Sequence, residues 1–229
     1  MRRLESMERE REPPTAVKDI FQRGLKRGAE RLAFDPVKRY FFVEKEASEA
    51  APGWKVFLRS CCFIYERPPP GQAVDYSRFL VVKRNGAPAN SKAWEPPKGQ
   101  MEGKDGLRDP RASIMEILRQ NIKREVAEEA RVKHLVGLEH TGLVFQGREK
   151  DYPEGTYFQY HIFRAMITPQ EYLRAAEELQ WYREHPAAFA RLRRDKREKD
   201  EISWYSPKDH KLMGKWSPSI VAMMLAHFR

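Results

Sequence analysis

Three glutamates in the middle of the chain have the types and spacing of a metal-binding group. Glu125, Glu128 and Glu129 lie in the stretch that begins at Arg124. On an α-helix each residue advances by about 100°, so positions i, i+3 and i+4 share one face. Carboxylates packed this closely repel one another unless a cation lies among them, and Mg²⁺ and Mn²⁺ prefer such oxygen ligands. Arg124 is one turn before Glu128 and can neutralise part of that face. The pattern also suits the solvated acidic face of an ordinary surface helix.

A rigid turn and a glycine-containing loop precede this helix. The turn reads Trp94-Glu-Pro-Pro-Lys-Gly99 and leads into the loop. Together, turn, loop and helix resemble the Nudix box, whose pattern is G-x5-E-x7-R-E-U-x-E-E-x-G-U, with U an aliphatic residue. Gly99 fits the first glycine, residues 124–129 fit the R-E-U-x-E-E core, and Val132 fits the final aliphatic position.

The chain departs from that pattern at three places. Asp105 stands where the pattern has its first glutamate, and eighteen residues separate it from Arg124 where the pattern has seven. Ala130 and Arg131 replace the x-Gly pair that closes the helix.

The longer spacer is interpreted as an extension of the helix at its N-terminal end. Asp109 suits an N-cap and Pro110 suits the first helical position. Eleven extra residues make about three helical turns, and no residue from there to Ala130 breaks a helix. An apolar stripe runs along this segment: Ile114, Leu118, Ile122 and Val126.

The resemblance implies a Mg²⁺ or Mn²⁺ site that hydrolyses a diphosphate linkage. Its ligands would be the backbone carbonyl of Gly99 and the carboxylates of Glu125, Glu128 and Glu129. Glu125 would be a further ligand or the base that takes a proton from water. Arg124 would complete the catalytic group by orienting the glutamates.

Further residues are assigned around that core by the same resemblance. Lys98 is placed to meet a substrate phosphate, with an ordinary surface lysine as the alternative. Glu102 and Asp105 would reach the metal through water. One more acid often lies outside the box in this family, and Glu149 or Glu201 would supply it here.

The composition indicates a basic protein with a substantial core. The 229 residues carry a formal net charge of +10, with 41% hydrophobic and 33% charged residues. A basic surface attracts polyanions such as RNA, DNA or phosphorylated small molecules, although structural proteins can be basic as well. The adjacent Cys61 and Cys62 cannot form a disulfide framework or a zinc site alone, and buried thiols are expected.

The sequence favours an intracellular protein, with the cytoplasm as the expected compartment. No stretch approaches 18 apolar residues, so no membrane span is expected. Acidic residues among the first dozen positions do not suit a secretory signal. The oligomeric state is left open.

Two segments could contact nucleic acid. Six of the nine residues from Arg191 to Lys199 are basic, and Arg193, Arg194 and Arg197 could track a phosphate backbone. A solvated helical face is the competing interpretation. Basic and aromatic residues also alternate within 34–43, where an aromatic edge packed on the core is the alternative.

The fold prediction is an α/β protein: a Nudix-type α/β/α sandwich with a mixed central sheet, an extra N-terminal helix and extra C-terminal helices. The expected organisation is a flexible tail over 1–14, a helical extension over 15–43, and a Nudix domain over 44–229 with a helical insertion around 169–199. Expected helices run from Thr15 to Ala33, Pro169 to Glu184, Ala187 to Lys199 and Ser217 to Phe228. Expected strands are Trp54 to Arg67, Tyr76 to Arg84, Val132 to Phe145, Tyr157 to Ile167 and Glu201 to Tyr205.

The favoured substrate is 5′-capped mRNA, cleaved to release methylated guanosine diphosphate, because the wide basic charge suits a long polyanion. Dinucleoside polyphosphates and diphosphoinositol polyphosphates are alternatives within the same chemistry. A catalytically silent Nudix-like RNA-binding module is an alternative of another class. The sequence contains no H-E-x-x-H, Walker-type or G-x-S-x-G pattern that would support a different catalytic site.

Overall fold

Two sheets and the helices that cover them make up the described part of the chain. The computed structural model describes residues 16–18, 31–35, 40–45, 54–88, 90–109, 111–148, 151–213, 221, 224 and 226. The strands are β1 (Ala16–Lys18), β2 (Arg31–Asp35), β3 (Tyr40–Lys45), β4 (Trp54–Glu66), β5 (Leu80–Arg84), β6 (Lys92–Glu95), β7 (Lys98–Gln100), β8 (Val136–Gly147), β9 (Thr156–Ile167), β10 (Lys199–Trp204) and β11 (Lys211–Leu212). The helices are α1 (Gly103–Arg108), α2 (Ile114–Glu129), α3 (Pro169–Glu184) and α4 (Pro186–Arg191), followed by a 3₁₀ turn at Arg194–Arg197.

The larger sheet is mixed and is built around β4. Its order is β1-β8-β9-β4-β3-β2, and β7 also pairs with β4 beyond the end of β3. The β4–β9 pairing is parallel and the others are antiparallel. The smaller sheet has the order β10-β5-β6-β11. The mixed α/β architecture expected from the sequence is therefore confirmed.

Alternate residues of β4 feed two separate cores. Leu58, Cys62 and Ile64 belong to a core that includes the apolar stripe of α2. Cys61, Phe63 and Tyr65 point to the opposite core, which also holds Val221 and Met224. A strand covered on both sides has apolar residues on both faces, as the sequence predicted. Both cysteines are buried and unpaired, as predicted.

The start of α2 differs from the prediction. The helix begins at Ile114, and its N-cap is Ser113, whose hydroxyl accepts a hydrogen bond from the Glu116 amide at 3.1 Å. Asp109 instead accepts from the amides of Arg111 and Ala112 in a turn that follows α1. The predicted first residue, Pro110, lies outside the described residues. Asp favours both N-caps and turns, so residue type alone could not separate the two.

The predicted N-terminal helix is wrong where the structure describes it. Residues 16–18 form β1 on the edge of β8, and residues 31–35 form β2 in an antiparallel pair with β3. Strand β3 pairs in turn with β4, so the sheet continues across the boundary expected at residue 44. Residues 1–14 and 19–30 lie outside the described residues.

The C-terminal half follows the prediction except at its basic run. Helix α3 has the predicted bounds, with Thr168 as its N-cap and Pro169 in its first turn. The helix expected from Ala187 to Lys199 is instead α4, the 3₁₀ turn and the first residue of β10. Residues 221, 224 and 226 are helical, in agreement with the predicted final helix, whose remaining residues lie outside the described ones. Within the described ranges, no helix is long and apolar enough to cross a membrane.

Candidate functional site

A cleft of about 640 Å³ opens beside the C-terminal half of α2. Its walls come from β4, the β6–β7 connection, α2, β9 and the segment before β10. Five carboxylates line it together with Gly99, Arg59 and Lys98; the acids are Glu95, Glu102, Glu125, Glu129 and Glu198. An acidic cleft on a strongly basic protein indicates a site that attracts cations.

The three glutamates at the end of α2 differ in what their side chains contact. Glu125 and Glu129, one turn apart, both line the cleft. The Arg124 guanidinium lies 2.8 Å from an oxygen of Glu125 and 2.8 Å from an oxygen of Glu128. Burial raises the pKa of Glu125 to about 8, although the charge of Arg124 opposes the shift. The helix thus presents two carboxylates to the cleft and uses Arg124 to restrain Glu128.

The backbone of Gly99 lies against the side chain of Glu125. A Cβ at position 99 would lie 2.0 Å from Cγ and 2.4 Å from Oε1 of Glu125. Any side chain at position 99 would therefore force the Glu125 side chain to move. The first glycine of the motif is therefore required by the close approach of β7 to α2.

Glu129 is held at the floor of the cleft by two lysines. The Lys98 backbone N–H donates to Oε2 at 2.9 Å, and the Lys199 ammonium lies 3.2 Å from Oε1. The same ammonium contacts Glu95, which also pairs with Lys98 Nζ at 3.2 Å. Burial raises the pKa of Glu129, while Lys199 and Lys98 act to lower it.

Asp105, at the position of the motif's first glutamate, does not line the cleft. It is buried and accepts from the Glu102 amide at 2.9 Å, which fixes the start of α1. Arg124 lies 3.6 Å from its carboxylate, and the Asn121 amide donates to it at 3.4 Å. Asp105 therefore contacts Arg124 and Asn121 and does not face the cleft itself. Glu102, by contrast, lines the cleft.

Arg131 takes the left-handed conformation that the motif's glycine would take. Its φ is 60°, in the region that disfavours side chains with a Cβ. The buried guanidinium donates to the carbonyl of Glu128 at 3.1 Å and to the carbonyl of Lys196. The missing glycine is thus replaced by a strained arginine that ties the end of α2 to the 3₁₀ turn.

Of the two predicted additional acids, the structure describes Glu201. Glu201 pairs with Lys83 at 2.7 Å and Arg183 at 2.9 Å and is not among the residues that line the cleft. Glu149 lies outside the described residues. Glu198, which the sequence analysis did not select, lines the cleft, and its charge raises the pKa of Glu125. The pairing of β10 with β5 brings Glu198 to the cleft, and the spacing of residues along the chain does not indicate that pairing.

The basic run lies next to the helix that carries the glutamates. The 3₁₀ turn packs against α2, and Arg194 is exposed while Arg197 is half-buried. Arg193 is exposed and paired with Asp195, whose hydrogen bond raises the pKa of Arg193. The charge of Glu128 acts in the same direction, because the two residues are near one another.

The donor chemistry of the cleft fits a hard divalent cation, since its charged acceptors are all carboxylates. The Lys199 ammonium already lies between Glu95 and Glu129 as a built-in cation. Among the described residues, however, no three His, Cys, Asp or Glu side chains are grouped closely enough to hold a metal ion as they stand. The residues that would hold one are Glu125, Glu129 and Glu198, with the Gly99 carbonyl beside them.

Comparisons with known proteins give structural likenesses only. No family model and no curated protein matches the sequence. A mutT/nudix family protein from Listeria innocua is 18% identical, with 75% of this chain and 93% of that chain covered and a TM-score of 0.40. The NUDIX domain of Shewanella oneidensis NrtR, complexed with ADP ribose, is 13% identical over 86% and 92%, with a TM-score of 0.41. A C. elegans Ap4A hydrolase is 16% identical over 75% and 94%, with a TM-score of 0.37. At such low identities and TM-scores, the function must be argued from this chain's own residues.

Proposed function

We propose that this protein is a divalent-cation-dependent hydrolase of the Nudix type that cleaves a diphosphate linkage in a nucleoside-diphosphate-linked substrate. One observation carries the proposal. The two separated parts of the motif, Gly99 with Lys98 and Glu125 with Glu129, line one cleft despite the long spacer between them. Spacing along the chain alone would not bring them together; the β7–α2 packing does.

Each residue of the motif has a role that its contacts support. Glu125 and Glu129, with the Gly99 carbonyl, would hold the cation, and Glu198 would supply the additional acid from the opposite wall. Arg124 keeps Glu125 and Glu128 from turning away. A bound Mg²⁺ or Mn²⁺ neutralises phosphate oxygens and lowers the pKa of a bound water.

We infer capped RNA as the substrate class. The basic run from Arg191 to Lys199 continues from α4 into the turn that packs on α2, so a polyanion held there would reach the cleft. A free nucleotide would need only the few cations of the cleft itself. An RNA chain bound outside the cleft would account for both the basic run and the net charge of +10.

A silent RNA-binding module is the second candidate, and one observation favours it. Glu129, a principal ligand in the motif, has both carboxylate oxygens engaged by Lys98 and Lys199. A module of this kind would bind RNA without any dependence on divalent cations.

The deciding experiment compares substrates. Wild-type protein is incubated with cap-labelled RNA, with a free dinucleoside tetraphosphate and with a diphosphoinositol polyphosphate, each with Mg²⁺, with Mn²⁺ or with chelator. Cation-dependent release of methylated guanosine diphosphate from RNA is the expected result. Turnover of a small substrate alone would keep the hydrolase and overturn the RNA assignment. RNA binding without any turnover would favour the silent module.

A further inference from the structure

Four buried or half-buried charges meet at the cleft floor from four different elements. Glu95 ends β6, Lys98 begins β7, Glu129 ends α2 and Lys199 begins β10. We call these four residues the floor cluster. Lys199 contacts both acids, and Lys98 contacts Glu95 through its ammonium and Glu129 through its backbone amide.

The floor cluster is electrically balanced without any added ion. Its two carboxylates and two ammonium groups cancel formally. Glu95, Glu129 and Lys199 are 2%, 3% and 5% exposed, so their charges cannot rely on water for solvation. Removing one member would leave a buried, uncompensated charge.

We propose that Lys199 is an internal counter-cation that occupies Glu129 in the metal-free protein and competes with a divalent cation for that carboxylate. This proposal rests on the divalent-cation function above and adds a residue that the motif does not contain. Lys199 is a positioning residue: it holds Glu129 and Glu95 in place before the cation arrives.

The competition follows from the geometry at Glu129. Oε2 accepts from the Lys98 amide, which is part of the β7 backbone, whereas Oε1 faces the ammonium group at the end of the Lys199 side chain. A cation that binds Glu129 must therefore share or replace the Lys199 contact, and the two positive charges repel each other at this range in a buried site. Lys199 then remains paired with Glu95 alone.

The test is direct measurement of Mn²⁺ affinity from the electron paramagnetic resonance of free Mn²⁺, with thermal unfolding as a second readout. Lys199→Met should bind Mn²⁺ about tenfold or more tightly than wild type, because the competitor is gone. Its melting temperature without metal should fall below that of wild type, and added Mn²⁺ should restore it. Lys92→Met is the matched control, since Lys92 is an exposed lysine of β6, and its Mn²⁺ affinity should equal that of wild type.

A second pair of variants covers the case in which Lys199→Met does not fold. Glu95→Gln with Lys199→Met removes one acid and one base together, and it is compared with Glu95→Gln alone. The double variant should again bind Mn²⁺ more tightly. Equal or weaker binding on loss of Lys199 would overturn the competition while leaving the hydrolase proposal intact. If no variant, wild type included, binds Mn²⁺, the divalent-cation function falls and the competition with it.

Discussion

Gly99 lies against Glu125, where the two halves of the motif meet. The absence of a side chain at position 99 lets the β7 backbone lie against Glu125, where a Cβ would come within 2.0 Å of Cγ. The cleft therefore depends on this glycine for the position of a carboxylate, in addition to any ligand its carbonyl supplies.

Gly99→Ala should remove most of the hydrolytic activity, because the added methyl group must push the Glu125 side chain out of the cleft. A loss of about a hundredfold or more is expected for a displaced catalytic group. Gly147→Ala is the control: Gly147 has no neighbour within 4 Å of a Cβ. Full activity of Gly99→Ala, with wild-type Mn²⁺ affinity, would show that the Glu125 position does not matter.

Sequence reasoning found the residues of the motif but missed the residues that face them. Glu125 and Glu129 could be selected because the helix fixes their relation locally, and Gly99 could be selected because it fits the first glycine of the motif. Glu95 and Glu198 line the same cleft, and Lys199 contacts two of its acids. The pairing of β5 with β6 and β10 brings these residues together over about a hundred residues of chain. Arg131 was noticed as a departure, but its left-handed backbone could be seen only in the structure.

At the level of elements, α3 is anchored through its first turn. The Glu171 carboxylate accepts from the Lys133 amide at 2.6 Å, from the His134 amide at 3.3 Å and from Arg174 Nε at 3.1 Å. These hydrogen bonds, led by the one from Arg174, lower the pKa of Glu171 to about 2. They connect α3 to the segment that follows α2.

The contribution of Glu171 to stability should depend on pH. An unfolded glutamate titrates near pH 4.3, so the stabilisation is complete above about pH 5 and is lost as pH falls toward about 2. Glu171→Gln should lower the free energy of unfolding by about 2 kcal/mol at pH 7, and the difference from wild type should shrink as pH falls to about 3.5. Urea unfolding at several pH values measures this. Glu177→Gln, an exposed acid of the same helix, should change little; a pH-independent effect of Glu171→Gln would refute the linkage.

How well an element was predicted followed from how local its signals are. The bounds of α3 were correct because the Thr168 cap and Pro169 define its start within two residues. The start of α2 was wrong because Asp109 suits a turn as well as a cap. Strands β1 and β2 were mistaken for a helix because β-structure depends on partner strands, here β8 and β3, that lie outside the segment itself.

Across the whole molecule, an acidic cleft is combined with a basic surface. The whole chain has a net charge of +10, whereas the cleft is lined by five glutamates and only two basic residues, Arg59 and Lys98. This combination suits a long polyanion that the basic residues attract along its length and that is cleaved at one cation-binding site.

Replacing Arg193, Arg194 and Arg197 by Gln should weaken RNA binding and reduce its salt dependence. Three lost phosphate contacts should lower the slope of log affinity against log salt by about 2, while turnover of a short nucleotide should stay near wild type. The matched control replaces Arg84, Lys92 and Lys208, which are exposed cations outside the run. Equal slopes for the two triple variants would indicate that the basic run is a solvated surface that does not contact RNA.

The most direct test of the account is hydrolysis of cap-labelled RNA with Mn²⁺ by wild type and by Glu125→Gln, with circular dichroism to confirm equal folding. We expect wild type to release labelled nucleoside diphosphate only when the divalent cation is present. Glu125→Gln should be slower by about a hundredfold or more, because it removes a carboxyl group that would hold the cation in the cleft beside Gly99. Release at the wild-type rate by Glu125→Gln, or release by wild type in chelator, would contradict the assignment of this cleft as the hydrolytic site.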